Sequence, residues 1–134
     1  MAKLLGISGS LRAGSYNSML VREAARVFAP AEFTFADLRL PLYDGDLEEQ
    51  GMPQSVPTFC DQISAADAIV ISTPEYNKNP SGVLKNALDW VSRVRPVPLV
   101  GKPVAVVSAA AGLAGGQRAT AALWLMLIPI KVRL

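Results

Sequence analysis

The chain has 134 residues and a formal net charge of +2, from 13 basic and 11 acidic side chains. Hydrophobic residues make up 51% and charged residues 18%, which excludes a disordered chain and fits one domain over residues 1–134. A single cysteine and the lack of histidine exclude an intrachain disulfide, a histidine base and a histidine-ligated metal. The balanced, scattered charges argue against nucleic-acid binding. The sequence has neither a membrane-length apolar run nor a signal-peptide pattern, so we expect a cytoplasmic protein with no metal and no membrane partner.

The first segments alternate between strand-like and helix-like patterns. Lys3–Ser8 is a short apolar run that predicts a buried strand. Residues 15–29 predict a helix, and Pro30 ends it. Residues 32–38 alternate polar and apolar side chains, which is typical of an edge strand. The predicted inward face of the helix consists of Leu20, Ala24, Val27 and Phe28.

The middle of the chain continues this alternation after a long loop. Residues 40–57 contain three prolines and four acids, which predicts an extended surface loop. Val56, Phe59, Cys60 and Ile63 follow the i, i+3, i+4, i+7 spacing of a second helix, with Cys60 as a buried hydrophobe. Residues 68–73 form a continuous run rich in β-branched side chains, which predicts a central strand of a parallel sheet.

Residues 81–94 predict a third helix with two apolar stripes. Its inward positions are Leu84, Ala87, Leu88, Val91 and Val94. Val83 and Trp90 lie seven residues apart on a second stripe. This stripe and the strongly apolar C-terminal segment, residues 123–134, predict a contact between subunits.

The last third of the chain predicts two more strands around one helix. Residues 104–108 predict a fourth strand, and a turn rich in glycine and alanine precedes a fourth helix that ends near Leu127. Residues 128–134 alternate and predict a fifth strand. Strands and helices in this strict alternation predict an α/β fold with a doubly wound, parallel, five-stranded sheet. Ligands of such sheets bind where the strands end, so the loops after the first, third and fourth strands form the candidate site.

The loop after the first strand, residues 9–17 (GSLRAGSYN), favours a phosphate ligand. It leads into a helix N-terminus, where free amides and the helix dipole attract anions, and Arg12 adds a charged donor. The loop lacks the Gly-Lys-Ser/Thr of a nucleoside-triphosphate site and the G-x-G-x-x-G of a dinucleotide site. Hydroxyls without lysine suit a single terminal phosphate such as that of FMN. An ordinary turn with Ser15 or Asn17 as helix N-cap is an equally good interpretation of this loop alone.

The loop after the third strand suits the edge of a flat ring. Residues 73–77 (TPEYN) form a proline-anchored turn that carries an aromatic side chain. A turn with a helix cap, in which Tyr76 is partly exposed, is the better interpretation of this loop by itself.

Taken together, the two loops resemble those of the NADPH-dependent FMN reductase family, which includes chromate and quinone reductases and azoreductase-like flavoproteins. The matching motifs are Gly9-Ser10-Leu11-Arg12-x-Gly14-Ser15-Tyr16-Asn17, Pro74-Glu75-Tyr76-Asn77 and Leu84-Lys85-Asn86-Ala87-x-Asp89-Trp90. The resemblance implies a flavodoxin-like fold with strand order 2-1-3-4-5, FMN as cofactor, and a homodimer or homotetramer. It also implies that NADPH or NADH reduces a small acceptor such as a quinone, free flavin, azo compound or chromate by ping-pong hydride transfer.

The resemblance assigns cofactor-binding residues to three loops and no catalytic side chain, because the flavin carries the chemistry. The phosphate loop is Ser10, Arg12, Ser15, Tyr16 and Asn17. The ring-lining segment is Pro74, Glu75, Tyr76 and Asn77, with Glu75 in a structural or ring-positioning role. The third loop contributes Ser108, Ala109, Gly112 and Gly115.

Two further expectations follow from the resemblance. Family members continue with a loop and a final helix after the fifth strand, so this helix is expected to be missing here. The alternative function is a flavin-binding or electron-transfer module without reductase turnover, although the net charge of +2 argues against a one-electron carrier, since these are usually strongly acidic.

Overall fold

The computed structural model describes residues 2–134, in which four parallel strands form one sheet in the order β2-β1-β3-β4. The strands are β1 Lys3–Ser8, β2 Glu32–Phe35, β3 Ala68–Ser72 and β4 Val104–Val107. Ser8 lies opposite Ser72, and Ser72 lies opposite Val107. The parallel α/β architecture predicted from the sequence is therefore confirmed, and β1, β3 and β4 end side by side.

Residues 2–134 also contain five α-helices, of which the first four connect strands and the last follows β4: α1 Tyr16–Phe28, α2 Gly45–Glu49, α3 Ser55–Ala65, α4 Gly82–Val91 and α5 Gln117–Leu127. The short helix α2 lies inside the segment predicted to be a loop. Asp44 caps it by accepting a hydrogen bond from the Asp46 amide at 3.0 Å. Five residues are too few to display a helical period, which is why the pattern did not reveal α2.

The prediction of a fifth strand over residues 128–134 is wrong. Ile128–Ile130 form a 3₁₀ turn, and Lys131 adopts a left-handed conformation with φ of 61°. Pro129 has no amide to donate to a sheet, and the positive φ breaks the extended geometry. Instead of a fifth strand, this segment forms one isolated parallel β-bridge, between Pro103 and Arg133.

Helix α1 presents a different face to the sheet from the one predicted. Val27 and Phe28 are 71% and 51% exposed, whereas Val21 and Ala25 are buried. A Cβ atom added to Gly6 would lie 2.4 Å from Val21 Cγ1, so this glycine allows α1 to approach β1 closely. This close contact determines which face of α1 lies against the sheet. The apolar stripe in the sequence did not predict that face correctly.

The main core lies between the sheet and helices α3, α4 and α5, and it contains Trp90. Trp90 is fully buried and its Nε1–H donates to the Pro41 carbonyl at 2.7 Å. Asn86 Nδ2 donates to the same carbonyl at 2.9 Å, so the segment after β2 covers this side of α4. The predicted subunit stripe of Val83 and Trp90 is therefore wrong, and the exposed tryptophan is Trp124 on α5.

Candidate functional site

The loops after β1 and β3 touch at the carboxyl edge of the sheet. The Gly9 amide donates to the Ser72 carbonyl at 2.7 Å. A Cβ atom on Gly9 would lie 3.0 Å from Ser81 Oγ and 3.1 Å from Pro74 Cδ. Glycine at this position thus lets the first residues of the β1 loop pack directly against the β3 loop.

Asn17 joins the first turn of α1 to the ends of β3 and β4. Its Oδ1 accepts hydrogen bonds from Ser72 Oγ at 2.7 Å and from the Ala109 amide at 3.0 Å. Its Nδ2 donates to the Ala109 carbonyl at 2.9 Å, and the residue is 4% exposed. The side chain therefore points into the protein and sets the spacing of the three loops.

The β1 loop presents donors that the protein itself leaves available. Ser15 caps α1 by accepting from the Ser18 amide, while the amides of Tyr16 and Asn17 make no hydrogen bond within residues 2–134. Within the same residues, the Arg12 guanidinium has no hydrogen-bond or ion-pair partner. The Ser10 hydroxyl accepts from the Arg12 amide at 3.4 Å and keeps its own proton to donate. A phosphate monoester, which is rich in acceptors and doubly charged, fits this set of donors.

A cavity of about 530 Å³ opens beside these donors. Its lining includes Ser10, Arg12 and Ser15 together with two more arginines, Arg22 and Arg39. Arg39 pairs with Asp37 at 3.1 Å, and Arg22 stacks 4.4 Å above the centre of the Phe35 ring. Three arginines and one aspartate give the cavity an excess of positive charge. Sequence reasoning missed Arg22 and Arg39 because it considered only the loops after the first, third and fourth strands, whereas Arg22 lies within α1 and Arg39 lies in the loop after β2.

The β3 loop ends in a tight reverse turn. The Tyr76 amide donates to the Asn79 carbonyl at 2.9 Å, and the Asn79 amide donates to the Tyr76 carbonyl at 3.0 Å. Asn77 and Lys78 between them have φ values of 50° and 66°, the geometry of a type I′ turn. The turn leaves Tyr76 56% exposed, while Pro74 is buried at its base.

The β4 loop is joined to the β3 loop by a serine hydroxyl, and a glycine at the end of the β4 loop makes room for that serine. Ser108 Oγ donates to the Thr73 carbonyl at 2.5 Å. Gly116 has a φ of 79°, and a Cβ atom on it would lie 1.9 Å from Ser108 Oγ. No other residue type fits there without moving the loop.

Some of the predicted site residues line two cavities, whereas the ring-lining segment Pro74–Asn77 lines neither of them. Ser10, Arg12 and Ser15 line the cavity described above. A second cavity of about 630 Å³ is lined by Tyr16, Ser108, Ala109 and Gly115, among other residues. Asn17 is buried and lines neither cavity, and Gly112 belongs to the exposed turn before α5. Glu75 points toward α5, where its carboxylate accepts a hydrogen bond from the Ala119 amide at 3.0 Å.

Cys60 does not belong to the site. It lies in the core on α3, as predicted, and burial raises the pKa of its thiol to about 11. Lys85 and Asp89 form the expected surface pair on α4, with 2.6 Å between Nζ and Oδ1. Neither feature provides a nucleophile or a general base near the loops.

Comparison with known proteins identifies this arrangement of a parallel α/β sheet with three strand-end loops. Residues 2–132 match the family of NADPH-dependent FMN reductases, and the chain belongs to that family. It is 50% identical over 119 residues to an NAD(P)H-dependent FMN reductase of Pseudomonas aeruginosa and 43% identical over 123 residues to a quinone reductase of Escherichia coli. Each match covers 87% of this chain and 64% of the relative, so the chain spans slightly less than two thirds of these proteins.

Solved structures agree with the fold. A flavoenzyme NAD(P)H:(acceptor) oxidoreductase from Paracoccus denitrificans has a TM-score of 0.90 and 33% identity, over 98% of this chain and 74% of that one. A flavodoxin, WrbA-like protein from Agrobacterium tumefaciens has a TM-score of 0.71 and 18% identity, over 99% and 76%. The fold is therefore flavodoxin-like, with four strands in order 2-1-3-4 within the described residues in place of the predicted five. Within residues 2–134, no helix has the length and apolar character needed to cross a membrane.

Proposed function

We propose that residues 1–134 form one FMN-binding domain of an NAD(P)H-dependent oxidoreductase. The observation that carries the proposal is the set of unused donors around Arg12: its guanidinium, the Ser10 hydroxyl, and the amides of Tyr16 and Asn17. These groups would hold the FMN phosphate. Ser15 supports them by capping α1, which keeps the first-turn amides directed outward.

The loops after β3 and β4 would hold the flavin ring. The rigid base at Pro74 and the exposed turn at Tyr76 and Asn77 provide one edge. The backbone of Ala109 and the Gly112–Gly115 turn provide the other. Ser108 Oγ donates to the Thr73 carbonyl, and Asn17 Oδ1 accepts from both Ser72 Oγ and the Ala109 amide. These bonds hold the two edges together and lower the ordering cost of binding.

When bound, FMN supplies hydride transfer from NADPH or NADH and onward electron transfer to a small acceptor. The family and the P. aeruginosa relative support FMN and a nicotinamide donor, and the E. coli relative supports a quinone as acceptor. Free flavin, azo compounds and chromate are further candidate acceptors. We assign the protein no general acid or base, since its loops need only bind, orient and exclude water.

We further propose a cytoplasmic homodimer or homotetramer. Support comes from the outer face of α5, where Trp124, Leu125 and Ile128 are 48%, 70% and 63% exposed. Exposed apolar side chains grouped on one helix favour contact with another protein surface. These three residues lie in the C-terminal segment that the sequence also predicted for the interface, so this segment stays the candidate interface without the Val83–Trp90 stripe.

Arg12→Ala tests the proposed phosphate site. Losing one charge-assisted contact costs about 1.5–3 kcal/mol, so the dissociation constant of FMN should rise roughly ten- to a hundredfold. The control is Arg26→Ala, which removes an exposed arginine from the last turn of α1, the helix that follows the Arg12 loop. Flavin fluorescence quenching gives both constants, and stopped-flow mixing of the loaded protein with NADPH or NADH under anaerobic conditions measures flavin bleaching.

Two outcomes would count against the proposal. Equal FMN affinity of the Arg12→Ala, Arg26→Ala and unmodified proteins would mean that the phosphate binds elsewhere. Tight FMN binding without bleaching by either nicotinamide would favour the alternative of a flavin-binding or electron-transfer module.

A further inference from the structure

Helix α5 begins without a cap of its own. Its N-cap residue is Gly116, which has no side chain to accept a hydrogen bond from the first-turn amides. The close approach of Ser108 makes glycine necessary at this position, because a Cβ atom would lie 1.9 Å from Ser108 Oγ. Packing within the β4 loop therefore removes the usual Ser, Thr, Asp or Asn cap from this helix.

Glu75 supplies the missing cap from a distant part of the chain. Its Oε2 accepts from the amide of Ala119, in the first turn of α5, at 3.0 Å across 44 residues of sequence. Glu75 lies in the β3 loop, between Pro74 and the reverse turn at Tyr76. The hydrogen bond thus ties the β3 loop to the helix that follows the β4 loop.

We infer that Glu75 is a positioning residue that holds the two proposed ring-side loops together, and that its negative charge offsets the positive end of α5. The inference rests on the proposed FMN site. A helix N-terminus carries a partial positive charge that would stabilise an anionic ligand beside it. The Glu75 carboxylate at that end weakens the attraction of α5 for a further negative charge. Since reduced FMN carries more negative charge than oxidised FMN, Glu75 should weaken the binding of the reduced form more.

Glu75→Gln separates the hydrogen bond from the charge. The glutamine keeps an amide oxygen that can accept from Ala119, whereas Glu75→Ala removes both the acceptor and the charge. The matched control is Glu32→Gln at the opposite, amino edge of the sheet, where Glu32 forms an exposed pair with Lys3. Exposed pairs of this kind contribute little to stability.

Two measurements test the two halves of the inference. Anaerobic titrations of oxidised and reduced FMN give the ratio of their dissociation constants, reduced over oxidised. In Glu75→Gln this ratio should fall about two- to fivefold, the size of a charge effect at a helix end, and should not change in Glu32→Gln. In the Glu75→Ala protein without flavin, hydrogen exchange at the Ala119 amide should be faster than in the unmodified protein. The Tm of this variant should be lower by about 3–6 °C.

The two measurements test the charge effect and the capping role separately. An unchanged ratio in Glu75→Gln would overturn the charge effect, and unchanged Ala119 exchange in Glu75→Ala would overturn the capping role. Failure of the unmodified protein to bind FMN would overturn the proposed function together with the claimed influence on flavin. The capping role is measured without flavin and would still be decided by exchange at Ala119.

Discussion

Asn17→Ala should be one of the most destabilising single polar substitutions in this chain. The asparagine is 4% exposed and makes three hydrogen bonds, to Ser72 Oγ and to both backbone groups of Ala109. Each such bond contributes about 1 kcal/mol net, and buried partners left unpaired cost about 1–3 kcal/mol each. We therefore expect the free energy of unfolding to fall by about 2–4 kcal/mol, a large share of the ~5–15 kcal/mol typical of a domain.

Urea unfolding of the protein without flavin, followed by circular dichroism, measures this loss. Asn79→Ala is the matched control, because Asn79 is an exposed asparagine whose side chain makes one hydrogen bond, to the Asn77 carbonyl at 3.1 Å. The control should change stability by less than about 0.5 kcal/mol. Asn17→Asp should also destabilise, because a carboxylate oxygen would replace the Nδ2 donor that faces the Ala109 carbonyl. If Asn17→Ala unfolds within 0.5 kcal/mol of the control, Asn17 does not join the loops as described.

Two further substitutions test the backbone and the core. Gly116→Ala should destabilise by about 1–3 kcal/mol, since it places a Cβ atom 1.9 Å from Ser108 Oγ at a φ of 79°; Gly112→Ala in the same turn meets no atom within 4 Å and should be nearly neutral in the same unfolding assay. Burial raises the pKa of the Cys60 thiol to about 11 from an ordinary value of 9.0, so the folded protein keeps a proton that the unfolded chain loses. The free energy of unfolding should therefore fall as the pH rises from about 9 to about 11, more steeply than in Cys60→Ala. The hydrogen bond to Glu48 also raises the pKa of Tyr43. Its effect on stability is the same in the unmodified protein and in Cys60→Ala, so it cancels when the two pH dependences are subtracted. Equal slopes for the two proteins would contradict the burial of the thiol.

Local patterns in the sequence determined most of the secondary structure. The continuous apolar runs of β1 and β3 were located correctly, because a strand buried on both faces has no polar alternation to obscure it. Ser15 was identified as a candidate N-cap, since its hydroxyl needs only the amide of Ser18 three residues later. The resemblance to the family rests on the β1 and β3 loop motifs, because within each motif the residues are close together in the sequence.

Only the tertiary structure decided how segments that are distant in sequence meet. The rotation of α1 depends on the contact between Val21 and Gly6, and the burial of Trp90 depends on the segment around Pro41. The capping of α5 by Glu75 spans 44 residues. A helical period reports which side of a segment is apolar, but it contains no information about which loop, glycine or carboxylate will lie against that side. Hydrogen bonding and close packing between distant segments therefore determine the shape of the candidate site, while the sequence alone predicted its position at the ends of the strands.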